Sequence, residues 1–100
     1  MKRIKIHNDT WEIHFVPQEQ LNEICGANSI YVMGMTEQHK LTIYISIELP
    51  NSLQRTTVIH ELTHAFQFSY NIKADDIEDM CDFMGMYADE IVALADKILQ

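Results

Sequence analysis

The chain has only two cysteines, Cys25 and Cys81, and a lone pair does not make a disulfide framework. No apolar run approaches the length of a membrane-spanning helix, which argues against a membrane role. The basic start Met1-Lys2-Arg3 is followed by Ile-Lys-Ile-His-Asn-Asp rather than an apolar stretch, so it does not read as a signal peptide. A cytoplasmic setting is expected, with both thiols reduced. Basic residues are few: 7 Lys and Arg stand against 15 Asp and Glu, for a net charge of -8. Such a surface repels phosphate backbones, so direct nucleic-acid binding is disfavoured. Much of the acid lies between Asp75 and Asp96 and reads as a solvated helix face, while Lys2, Arg3 and Lys5 can touch an acidic partner. Repeats, linkers and low-complexity segments are all lacking, and residues 1–100 make one domain with a modest core.

The apolar pattern predicts an α+β fold. Ile4 and Ile6, then Trp11, Ile13 and Phe15, alternate with polar residues around a turn at His7-Asn8-Asp9-Thr10 and read as a hairpin. His7 and His14 fall near the turn or on its wet face. Pro17 ends the second strand, and residues 18–25 read as a short helix stopped by Gly26, with Cys25 as a small core or boundary residue. Residues 29–35 and 41–47 form a second strand pair around Thr36 to Lys40, with Leu41, Ile43, Ile45 and Ile47 on one face. A helix over about 51–70, capped by Asn51 and stopped near Asn71, buries Leu53, Thr57, Val58, Leu62, Ala65 and Phe68. A second helix spans about 75–99, with Ile77, Met80 or Cys81, Met84, Tyr87 or Ala88, Ile91, Leu94 or Ala95, and Ile98 at helical spacing. Gly85 reads as a point of close packing, and Met33, Met35, Met80, Met84 and Met86 as core filler. Together these elements give a small antiparallel or mixed sheet of about four strands packed on two long helices.

Inside the first long helix stands His60-Glu61-Leu62-Thr63-His64, an H-E-x-x-H motif. Histidines four residues apart on a helix point the same way one turn apart, so both imidazoles can reach one cation, and zinc suits that pair. Glu61 projects about 100° further round, which sets its carboxylate beside the metal as a general base. Uncharged Leu62 and Thr63 within the motif and apolar Ala65 and Phe66 after it leave the ligands and the base as the polar groups of a buried helix.

Catalytic zinc usually takes three protein ligands and keeps one open position. No histidine follows His64, and Gln67 and Tyr70 stand where a metzincin would carry its glycine and last histidine. An acid or cysteine on the second helix, or an upstream group such as His39, therefore has to supply the third ligand. Asp75, Asp76, Glu78, Asp79 and Cys81 are all within that stretch, with Asp79 read as facing solvent. Glu78 and Asp82 lie one turn apart, and the residues from Ala65 to Ile77 suffice to turn the chain back.

The motif and its flanks, roughly Leu41 to Tyr87, resemble the zincin metallopeptidases, and the E-x-x-x-D of Glu78 and Asp82 resembles the gluzincin branch. That resemblance implies a minimal zincin-like domain with zinc on His60, His64 and Glu78, Glu61 as general base, and Asp82 orienting a ligand imidazole. It implies peptide-bond hydrolysis of a protein or peptide substrate, with one strand of the second pair at a sheet edge where extended substrate pairs. Tyr44, Tyr70, Tyr87 and His39 are candidates for the oxyanion stabiliser. The chain is similar to short cytoplasmic metallopeptidases encoded by phage and mobile elements, some of which cleave a repressor. The alternative is a metal-stabilised binding module that docks to a phage or host protein without catalysis, with a closed four-ligand site to which Cys81 could be added.

Overall fold

The computed structural model describes residues 1–26 and 32–100. Four strands form one mixed sheet: β1 (Lys2–Ile6), β2 (Asp9–Val16), β3 (Gly34–Glu37) and β4 (Thr42–Ser46), in the order β1-β2-β4-β3. Antiparallel pairs at each side flank a parallel β2–β4 pair, in which Ile13 lies beside Ile43 and Phe15 beside Ile45. The helices are α1 (Gln18–Cys25), α2 (Asn51–Ser69) and α3 (Ile77–Ile98). This is the α+β architecture read from the sequence. Among the described residues, no helix is long and apolar enough to cross a membrane.

The core follows from strand alternation. Ile4, Ile6, Trp11, Ile13, Ile43 and Ile45 point to one face of the sheet, where Val58, Leu62, Ala65 and Phe66 of α2 close over them. Phe83, Ile91, Ala95 and Ile98 of α3 complete the cluster. Leu21 of α1 is fully buried, α1 packs beside β4, and Thr42 and Ser46 of β4 are buried as well. Each buried CH₂ is worth about 0.8 kcal/mol, so this layer of branched and aromatic side chains holds α2 in place.

Several local expectations are corrected. The hairpin turn is shorter than predicted, because Asp9 and Thr10 already pair with Ile6 and Lys5, leaving His7 (φ 55°) and Asn8 to turn the chain. The second strand pair is shifted: β3 runs through Thr36 and Glu37, a 3₁₀ turn at Gln38–Lys40 follows, and Leu41 takes φ 49° outside the strand. Part of the strand expected at 29–35 lies outside the described residues. Ile47 is exposed beyond the end of β4.

Pro50, not Asn51, is the N-cap of α2, and no side chain caps it. Asn71 does stop the helix. It takes φ 54°, and the Ile72 amide bonds the Gln67 carbonyl at 2.9 Å, the wrapped end that a left-handed residue permits. Leu53 and Phe68 are exposed, and the buried stripe runs instead through Glu61 and Phe66. Asp76 caps α3, its carboxylate accepting from the Asp79 amide at 2.8 Å. In the first turns of α3, Ile77, Met80 and Cys81 are exposed, and burial starts at Phe83. Gly85 meets open space rather than α2. Of the methionines expected as core filler, Met84 is half-buried against the core cluster and Met35 is half-buried, whereas Met33, Met80 and Met86 are exposed.

Candidate metal and catalytic site

Helix α2 presents three different surfaces. Val58, Leu62 and Ala65 face the sheet, while Phe66 joins Tyr70, Phe83 and Tyr87 in an aromatic stack beside α3. The third surface carries His60 and His64, both exposed, with ring centroids 5.0 Å apart in an edge-on arrangement. The helical repeat alone puts them there, one turn apart and about 120–160° round from Phe66. His64 also lies against Phe68, at 6.4 Å between centroids, so the exposed Phe68 flanks the histidine pair.

Glu61 lies between the histidine surface and the sheet and is only 6% exposed. Burying a carboxylate is costly unless it is hydrogen-bonded. Here Thr36 on β3 donates its hydroxyl to Oε1 at 2.8 Å, with the Glu61 carbonyl oxygen 3.2 Å from the same hydroxyl. Glu61 Oε2 stands 3.9 Å from His60 Nε2. Strand β3 comes this close because residue 34 is glycine. A Cβ there would meet Thr57 Cγ2 at 2.8 Å, Glu61 Cγ at 3.0 Å and Glu61 Oε2 at 3.2 Å.

Beside this carboxylate opens a cavity of about 260 Å³ lined by Val32, Met33, Gly34, Leu53, Thr56, Thr57, His60 and Glu61. The two threonines contribute little free polarity. Thr56 donates to the Ser52 carbonyl at 3.1 Å and Thr57 to the Leu53 carbonyl at 2.8 Å. The cavity wall away from His60 and Glu61 is therefore effectively apolar.

The structure brings His60, Glu61 and His64 together. Glu78 and Asp82 stand on the exposed first turns of α3, where Asp82 borders a shallow depression with Lys73, Asp79 and Tyr87. Among the described residues, no set of three His, Cys, Asp or Glu side chains forms a ready metal cage. The two imidazoles suit a divalent metal by chemistry and by their shared helix face, and would supply two of its bonds. Asp79 is exposed, as expected, and so are Asp75, Asp76, Cys81 and His39.

The oxyanion candidates fall elsewhere. Tyr70 and Tyr87 stack on each other at 4.7 Å, and burial together with the nearby Glu90 carboxylate pushes the Tyr70 phenol up. Tyr44 lies on the sheet face opposite Ile43 and Ile45 and packs on His14, which is half-buried and bonded to Glu12 at 3.0 Å.

Thr36 and Gly34, which hold the Glu61 side chain, are not among the candidate residues read from the sequence. A glycine just before a β-branched strand signals close backbone approach, and that signal was available at Gly34. Cys25 also borders this region, its thiol 3.3 Å from Met35 Sδ. Burial, and secondarily the Glu61 carboxylate, push that thiol up. Labelling with a chromogenic disulfide at pH 8 is expected to modify exposed Cys81 at least about tenfold faster than Cys25. Rates for the single variants Cys25→Ser and Cys81→Ser check this, and equal rates would contradict it.

No curated protein and no solved structure matches the chain significantly. A family model does: the one described as "Putative metallopeptidase family (DUF6782)" matches residues 4–94, from the first buried isoleucine of β1 through most of α3, and the chain belongs to that family.

Proposed function

We propose that the protein is a zinc-dependent endopeptidase in which His60, His64 and Glu78 bind the metal and Glu61 is the general base. Membership of a metallopeptidase family implies a metal and protein or peptide substrates. The observation that carries the finer reading is the contrast along one helix: two exposed imidazoles on adjacent turns, and beside them a buried carboxylate held by the sheet. Zinc, when bound, supplies Lewis acidity that polarises a scissile carbonyl and makes water acidic enough to attack at neutral pH.

The chain's own residues do the rest. Glu61 accepts the proton of the attacking water and returns it to the leaving amine. Glu78 is assigned as third ligand because α3 packs along α2 and its first turns carry unburied carboxylates, and Asp82, one turn on, would orient a ligand imidazole. Among the described residues β3 is an edge strand, and the backbone of an extended substrate would pair along it beside Glu61. The neighbouring cavity suits an uncharged, apolar side chain, since Val32, Met33, Leu53 and the threonine methyls offer no partner for a charge.

The purified chain is expected to hold about one zinc per molecule after gel filtration, and His60→Ala to hold almost none. A random library of internally quenched peptides should then be cut beside apolar residues by the zinc-loaded wild type, and not after chelation. A metal-free wild type that takes up no added zinc would refute the reading. A tightly zinc-bound chain that cuts nothing would favour the binding-module alternative.

A further inference from the structure

We propose that Thr36 is a positioning residue for Glu61, fixing which of the two carboxylate oxygens meets the reacting water. The inference rests on Glu61 being the general base and goes beyond it by assigning unlike roles to Oε1 and Oε2.

A glutamate side chain has three rotatable bonds, and on an open helix surface its carboxylate samples many orientations. At this site two constraints remove that freedom. Thr36 and Gly34 are two apart on β3, so both turn to the same face of the strand, toward α2. The Thr36 hydroxyl has one proton to donate, and its shorter contact is to Oε1, at 2.8 Å against 3.2 Å to the backbone carbonyl. The Gly34 backbone lies close against the rest of the side chain, as the 3.0 Å and 3.2 Å approaches of an added Cβ show. Held in this way, the carboxylate has Oε1 turned into the sheet and engaged.

Oε2 is the oxygen left for chemistry. It is the one 3.9 Å from His60 Nε2, and Glu61 borders the cavity beside β3. Thr36 reaches neither the cavity nor the histidines, so it acts only through Glu61. Misplacing a reacting group by about 1 Å can cost about 10²-fold in rate, which is ample scope for a single hydroxyl to matter.

Thr36→Val keeps the β-branched shape that suits a strand and removes the hydroxyl, while Thr36→Ser keeps the hydroxyl and removes the methyl. With a quenched peptide that the wild type cleaves, Thr36→Val should lower kcat about 10- to 100-fold, leave KM within about twofold, and keep the zinc-to-protein ratio. Thr36→Ser should recover most of kcat. In metal-free protein, the Tm losses of Thr36→Val and Glu61→Ala should be non-additive, since each removes the same contact. Wild-type kcat in Thr36→Val, equal impairment of the valine and serine variants, or additive Tm losses would overturn the assignment. A zinc-loaded wild type that cleaves no peptide would instead remove the general-base reading, and this role with it.

Discussion

Glu61→Gln is expected to bind as much metal as the wild type while losing cleavage by about 10²- to 10⁴-fold, the range that a positioned general acid-base group contributes. The substitution is nearly isosteric, so the buried position between α2 and β3 stays filled. The amide oxygen can still accept from the Thr36 hydroxyl, at the place where Oε1 does so at 2.8 Å. What the amide cannot do is take a proton from water. Metal affinity should hold because His60 and His64 sit on a separate, exposed surface of the helix. The contrast with His60→Ala is the informative part: that variant removes a proposed ligand and should lose metal and cleavage together. Metal stoichiometry and peptide cleavage measured side by side decide it. A metal-replete Glu61→Gln protein with wild-type turnover would take the general-base role from Glu61, whatever binds the metal.

How far the sequence spoke for the site depends on which interactions are local. The positions of His60, Glu61 and His64 follow from 3.6 residues per turn, and five letters suffice to place them on one helix. The strands were legible in the same way, because alternation at Ile4, Ile6, Trp11 and Ile13 needs only period two to reveal a buried face. Contacts between distant segments were not legible. Thr36 looked like the first residue of a turn, and only the β3–β4 register, with Thr36 opposite Ile43, brings it onto α2 25 residues later in the chain. The first turns of α3 were misjudged for the same reason. Ile77 and Met80 have the spacing of a buried stripe, but both are exposed, and the buried residues of α3 begin at Phe83. Periodicity states which residues share a face and is silent on where the neighbouring layer ends. That boundary separates His60 and His64, whose shared face follows from the helical repeat, from Glu78, whose proposed role depends on how the start of α3 meets the far end of α2.

The largest loss of stability is expected at Trp11, and it bears on the site because Trp11 anchors the helix that carries it. The indole is fully buried in the cluster with Ile13, Ile43, Leu62 and Phe66. Its Nε1 donates to Ser69 Oγ at 2.8 Å, and Ser69 in turn donates to Asp9 Oδ2 at 2.8 Å. This directed chain fastens the last residue of α2 to the start of β2, and the Arg55–Asp96 ion pair joins an earlier turn of α2 to α3. Trp11→Ala should cost about 3–5 kcal/mol, from lost burial and the cavity left behind. That is a large share of the roughly 5–15 kcal/mol that holds an ordinary domain folded. For a chain of this size it corresponds to a fall in Tm on the order of 20 °C. Trp11→Phe keeps most of the apolar volume but gives up the hydrogen bond to Ser69 and leaves a small void, so its cost should be nearer to about 1–2 kcal/mol. Thermal unfolding of both variants without metal, followed by metal titration, separates the two contributions. The phenylalanine protein should still bind metal on His60 and His64, because the motif lies more than a helical turn from Ser69. A Trp11→Ala protein melting within a few degrees of the wild type would mean that α2 is held by the remaining apolar layer alone.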